Sequence, residues 1–267
     1  EGSYSLSVEE TTDGGVKISS GFTIVNEGGT SATESGLTLT FTDGSSLELI
    51  DAGTAYAGAL ASVPGASGEQ GVSATSGNTA STSLTWGSKA DGVGFDWNSA
   101  ADFAGIEGMT FGISGAFSDD IAAQTDTIST ETTYSVGATY VTTTGDSTVT
   151  IGGGYVSAST SNTGAKNQAA SSAAVSATVA TGNLTVGVGV STGAGLAQNN
   201  SDSVSEIDNV QVLNAGASYV SGDMTFKVSY KDGSVDEADL ANDGSVEDSK
   251  TVLGASMDYA VASGVTA

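Results

Sequence analysis

From about residue 130 onward the chain repeats one unit of roughly ten residues, with apolar side chains at every second position. Tight turns and long polar loops join these units alternately. A period of two marks a sheet with two unlike faces, and the alternation of connections gives that sheet two unlike ends. A membrane β-barrel has both properties. In residues 182–191, Leu184, Val186, Val188 and Val190 take one face, with Asn183, Thr185, Gly187 and Gly189 on the other. Residues 222–231 set Met224, Phe226, Val228 and Tyr230 against Thr225, Lys227, Ser229 and Lys231. Residues 108–117 carry Met109, Phe111, Ile113 and Phe117 on one face.

Charges keep out of the apolar rows. Lys17 lies between Val16 and Ile18, Glu48 between Leu47 and Leu49, Asp96 between Phe95 and Trp97, and Asp258 between Met257 and Tyr259. A lysine facing lipid at mid-membrane costs about 2–4 kcal/mol, which would explain the exclusion. A buried protein core excludes charge as well. Parity alone therefore establishes the two faces and not the solvent that wets them.

Composition narrows the class. One Pro and 38 Gly suit many strands, and no stretch has the pattern of a good amphipathic helix. The apolar runs fall far short of the roughly 18 residues a transmembrane helix needs, so any membrane insertion must use strands. Without Cys or His the chain has no disulfide, no thiolate and no Ser-His pair, and it is read as a non-enzyme with no cofactor. Six Lys, no Arg and 31 acidic residues give a net charge of -25. That balance provides no footprint for nucleic acid and attracts cations.

Turn signals and parity together predict about fourteen strands, at 3–10, 15–26, 36–42, 45–51, 92–100, 107–118, 131–143, 146–159, 170–180, 183–193, 209–220, 223–231, 249–261 and from 264. Tight turns are expected near 11–14, 43–44, 101–106, 144–145, 181–182, 221–222 and 262–264, and long loops at 27–35, 52–91, 119–130, 160–169, 194–208 and 232–248. Strict alternation of the two predicts an antiparallel up-and-down meander. The five long loops other than 52–91 hold 15 of the 31 acids in 63 residues, so the loop end is acidic. Tyr140, Tyr219 and Tyr259 fall toward the turns and Tyr155 and Tyr230 toward the loops, as two interfacial belts require.

The order GGVKISSGFTIVNEGG (14–29), SGLTLTFTDGSSLELIDAG (35–53), a long small-residue loop and GVGFDWNSAADFAGIEGMTFGISGAFSDD (92–120) resembles Gram-negative general-diffusion porins of the alphaproteobacterial type. The resemblance covers nearly the whole chain, read as one domain, 1–267. It implies an all-β, sixteen-stranded transmembrane barrel in the outer membrane, a water-filled channel for small hydrophilic solutes and ions, and a homotrimer among lipid and lipopolysaccharide. It also implies that residues 52–91 are the loop that folds inward and forms the constriction. That loop follows the fifth strand in the family and the fourth here, so the chain is expected to begin in strand two and stop in strand fifteen.

Family porins set loop acids against wall arginines, and this chain has no arginine. The expected pore-lining residues are Glu69 in the loop, Asp51 at its start, Lys89 and Asp91 near its end, and Lys17, Lys227, Asp96 and Glu48 on the wall. Cation preference with a poorly focused transverse field is the expected result. The run 231–250 suggests loop-bound Ca2+ through Asp236, Asp239, Asp243 and Glu247, although the spacing does not match the DxDxDG loop. The rival class is a secreted acidic β-repeat surface protein, an adhesin or surface-layer module. Detergent-only extraction separates the barrel from that rival.

Overall fold

The computed structural model describes residues 2–26, 30–49, 55–66, 93–117, 129–162, 165–198, 204–238, 246–262 and 265–266. Fourteen strands follow one another: β1 (Gly2–Thr11), β2 (Lys17–Asn26), β3 (Thr30–Thr40), β4 (Ser46–Leu49), β5 (Val93–Asn98), β6 (Met109–Phe117), β7 (Ser129–Thr144), β8 (Ser147–Asn162), β9 (Ala165–Thr181), β10 (Leu184–Gln198), β11 (Val204–Ser221), β12 (Met224–Ala238), β13 (Val246–Ala262) and β14 (Val265–Thr266). Each pairs antiparallel with the next, so the order in the sheet is the order in the chain. Among the described residues β1 and β14 do not pair, and the sheet is open between them.

The turn end is built from one repeated device. β7–β8, β9–β10 and β11–β12 close through Gly145-Asp146, Gly182-Asn183 and Gly222-Asp223, between the last pairs Thr144↔Ser147, Thr181↔Leu184 and Ser221↔Met224. The glycine comes first each time, with φ of 60°, 53° and 59°. That backbone region is where a two-residue hairpin of type II′ needs glycine.

At the opposite end the strands outrun the alternation. β8 and β9 stay paired up to Asn162↔Ala165, where a loop is expected over 160–169. β10 and β11 extend to Gln198↔Val204, and β12 and β13 to Glu237↔Val246, well into the expected loops at 194–208 and 232–248. β3 likewise begins at Thr30 and not at 36. The main-chain ladder needs no apolar side chains to continue, so it persists past the point where the period of two fades. A second difference is α1 (Ala55–Ala59), a helix too short for a 3.6-residue period to be visible in the sequence. No helix among the described residues is long and apolar enough to cross a membrane.

Exposure decides which solvent wets each face. On β9, Val175 and Val179 are exposed while Ser172 and Ser176 are buried, and on β7 Tyr134 and Val136 are exposed while Thr133 and Ser135 are buried. β10 exposes Leu184, Val186, Val188 and Val190, and on β13 Leu253 is 80 % exposed. Leaving such side chains in water forfeits about 1.5–3 kcal/mol each. The arrangement inverts a soluble sandwich, whose apolar faces meet, and matches a wall with lipid outside.

Candidate functional site

The inner face is the one that carries α1 and the chain after it. Ala55 N donates to Ser114 Oγ at 3.1 Å and Tyr56 N to Ser135 Oγ at 3.1 Å, and the two hydroxyls bond each other at 2.6 Å. Thr139 Oγ1 donates to Ala59 O at 2.7 Å. Tyr56 is 2 % exposed, and its phenol hydrogen-bonds Ser172 Oγ at 3.0 Å. Tyr56 also packs on Val156 and Ala174, with Leu60 against the same cluster. From there the chain runs on to β12, where Ala66 N donates to Ser229 Oγ at 3.2 Å. Residues 55–66 thus lie along the inner wall from β6 to β12.

Glycines make that close approach possible. A Cβ at Gly137 would sit 2.2 Å from Ala55 O, at Gly152 1.9 Å from Ala59 O, and at Gly216 1.8 Å from Pro64 O. No flexible side chain stands at those points, so any other residue would force the segment off the wall. The segment, AYAGALASVPGA, carries no charge. Ala57, Gly58, Ser62 and Gly65 are its exposed members.

The pairing register carries the inner face across the rest of the sheet. Ser114 is opposite Asp96, Asp96 opposite Glu48, Glu48 opposite Thr38, and Thr38 opposite Ser19. Directly opposed residues share a face, so Glu48 and Asp96 line the inner wall. Lys17 shares that face with Ser19 and forms an ion pair with Glu9 at 2.7 Å. On β12, Lys227 and Lys231 flank Ser229 on the inner face, and Lys227 is paired with Asp258 at 2.8 Å. Four of the expected pore-lining residues, Lys17, Glu48, Asp96 and Lys227, therefore occupy the predicted face. Asp51, Glu69, Lys89 and Asp91 lie outside the described residues.

Asp96 is 7 % exposed, and its Oδ1 has no hydrogen-bond partner. Of the calcium candidates, Asp236 on β12 stands opposite Glu247 on β13 and Asp208 on β11. Asp239 and Asp243 lie outside the described residues, and no group of three metal-ligating side chains occurs among those described. The anchoring residues Ser114, Ser135, Thr139, Ser172 and Ser229 escape sequence reasoning, because serine and threonine are the default of a polar face. The glycines left a signal: Gly112, Gly137 and Gly154 are consecutive cross-strand partners on that face.

Residues 3–267 match the family model described as Gram-negative porin. The fold is similar to that of a loop L8 deletion mutant of OmpT, an outer membrane protein of Vibrio cholerae, with a TM-score of 0.61 at 14% identity over 98% of this chain and 80% of that one. It is similar to Salmonella typhi OmpF in complex with daunomycin, with a TM-score of 0.60 at 16% identity over 98% and 78%. The trimer form of in-vitro folded OmpT gives 0.59 at 15% identity over 98% and 77%. No curated protein matches the sequence.

Proposed function

This chain belongs to the Gram-negative porin family, and from that premise we propose that it passes small hydrophilic solutes and ions by passive diffusion, with a preference for cations. As a porin it is an outer-membrane β-barrel channel. The observation that carries the finer reading is the uncharged segment 55–66 seated on a polar inner wall. It narrows the lumen without presenting a charge or a specific ligand platform, which suits sieving by size. Cation preference is supported by the wall acids. Lys17 and Lys227 are paired with Glu9 and Asp258, and two further acids of the wall, Glu48 and Asp96, stand directly opposite one another.

In this reading the whole chain is one porin domain and works without a cofactor. The exposed apolar face meets lipid and lipopolysaccharide, and three copies associate as in the trimer form of OmpT. A reversal potential across a planar bilayer under a KCl gradient tests the selectivity, and the sign expected is that of a cation-preferring pore. Anion preference would overturn the selectivity, and absence of conductance would overturn the channel. Migration of unheated protein on a denaturing gel tests the trimer, with a band near the monomer mass refuting it.

A further inference from the structure

The outer face carries a groove of about 650 Å³ that crosses β8 to β12. One rim is the cross-strand row Val175, Val190 and Leu213, all exposed, which ends in Asp232. The other rim is the next row on that face, Thr192, Gln211 and Ser234. Between them runs the row Ala174, Ser191 and Val212, whose side chains are buried on the inner face, so its main chain forms the floor. Five strands side by side make the groove about 20 Å long. It lies at the edge of the apolar band: exposed Val186, Val188 and Val228 stand turnward of it, and hydroxyls and an amide line its loopward side. Its β12 end is acidic. Thr251 Oγ1 donates to Asp232 Oδ1 at 2.6 Å, and among the described residues Asp232 has no lysine partner. In the register beyond Ser234, Asp236 stands opposite both Asp208 and Glu247.

We propose that this groove seats a phospholipid with an ammonium headgroup, of the phosphatidylethanolamine class. An acyl chain lies along Val175, Val190 and Leu213, and burying both surfaces from water and headgroups drives the contact. The ammonium meets the Asp232 carboxylate in a charge-assisted hydrogen bond. The Gln211 amide and the Thr192 and Ser234 hydroxyls donate to the phosphate oxygens. A lipid whose headgroup is only anionic meets Asp232 with nothing to offset the repulsion, in the field of a chain of net charge -25. The two unlike rims thus match an amphiphile, and the acid at the end of one rim selects its charge. The inference rests on the reading above that the exposed apolar face meets lipid.

The test is the melting temperature of the full chain in a neutral detergent, with dioleoyl phosphatidylethanolamine, dioleoyl phosphatidylglycerol or lipopolysaccharide added in turn. Phosphatidylethanolamine should raise it more than either of the others. V190W, which fills the groove at an exposed position, should lose that increment, and V186W, on the same face outside the groove, should keep it. D232N retains an oxygen for the Thr251 hydroxyl but no charge, and should bring the response to phosphatidylethanolamine down to that to phosphatidylglycerol. Native mass spectrometry of the same samples should show phosphatidylethanolamine retained by wild type and V186W and lost from V190W. Equal responses to the two phospholipids in wild type, or an increment that survives both V190W and D232N, would overturn the proposal. A larger response to lipopolysaccharide than to phosphatidylethanolamine would overturn the assigned occupant. A chain that stays in solution without detergent would overturn the membrane reading itself and the groove with it, whereas a detergent-dependent chain indifferent to headgroup overturns the groove alone.

Discussion

The two ends of the inner segment are fixed to different degrees. At its start, Ala55, Tyr56 and Ala59 are tied to Ser114, Ser135, Ser172 and Thr139 by named hydrogen bonds, and Tyr56 fills a packed cluster with Val156 and Ala174. At the far end, among the described residues, Ala66 is hydrogen-bonded to Ser229, and Pro64 rests on wall positions that carry no side chain, Gly187 and Gly216. Both ends rest on wall glycines, Gly137 and Gly152 under the first and Gly187 and Gly216 under the second, and the first adds hydrogen bonds and a packed aromatic ring. Position in a pore can thus be specified by absent atoms as firmly as by contacts.

The heaviest blow to the bonded end is Tyr56→Ala, which empties a buried aromatic site. A loss of about 3–5 kcal/mol is expected, read as a lower melting temperature with larger, noisier single-channel conductance. Gly216→Val attacks the other end. The added branch meets Pro64 O, so about 1–3 kcal/mol is lost, and the displaced segment should lower conductance and the size limit in liposome swelling. If Gly216→Val leaves both unchanged, the far end is not held by the glycines. Ser229→Ala removes the Ala66–Ser229 bond at about 1 kcal/mol, and it should widen current fluctuations while Tyr56→Phe does not.

The smallest effect belongs to a site remote from both ends. In the β3–β4 turn, Asp43 accepts hydrogen bonds from the Ser45 hydroxyl at 2.7 Å and amide at 2.9 Å, chiefly the hydroxyl holding its pKa below the ordinary 3.8. A carboxylate whose folded value is depressed stabilises the fold above the unfolded value and loses that contribution as pH falls through the folded one. Asp43→Asn should therefore lower the melting temperature slightly at neutral pH, with the gap to wild type closing in acid. Conductance should not change. A changed conductance would mean that the turn communicates with the segment.

Strand number and strand order were legible because each rests on local signals such as the alternation in 182–191, and the tight turns expected at 144–145, 181–182 and 221–222 fall one residue later, at 145–146, 182–183 and 222–223, because the glycine takes the first turn position and not the second. Lys17, Glu48, Asp96 and Lys227 were placed on the correct face for the same reason, since parity is a property of a single strand. The solvent of each face was not legible from parity, because lipid and protein core exclude charge alike. It took the exposure of Val175 beside buried Ser176 to separate them. The ladder beyond Thr160 was hidden because main-chain pairing leaves no mark on side-chain pattern. The anchoring of Ala55 to Ser114, 59 residues away, depends on register between elements and has no local signature.

Evolution meets this wall and this segment under different rules. Any coding change at Gly137, Gly152 or Gly216 adds at least a Cβ, and each of those would collide with backbone. Gly58 and Gly65, by contrast, have nothing within 4 Å of a built Cβ. Descendants of this chain can therefore acquire new chemistry along this segment by single substitutions at Gly58 or Gly65, while the seating of the segment on the wall is inherited nearly unchanged.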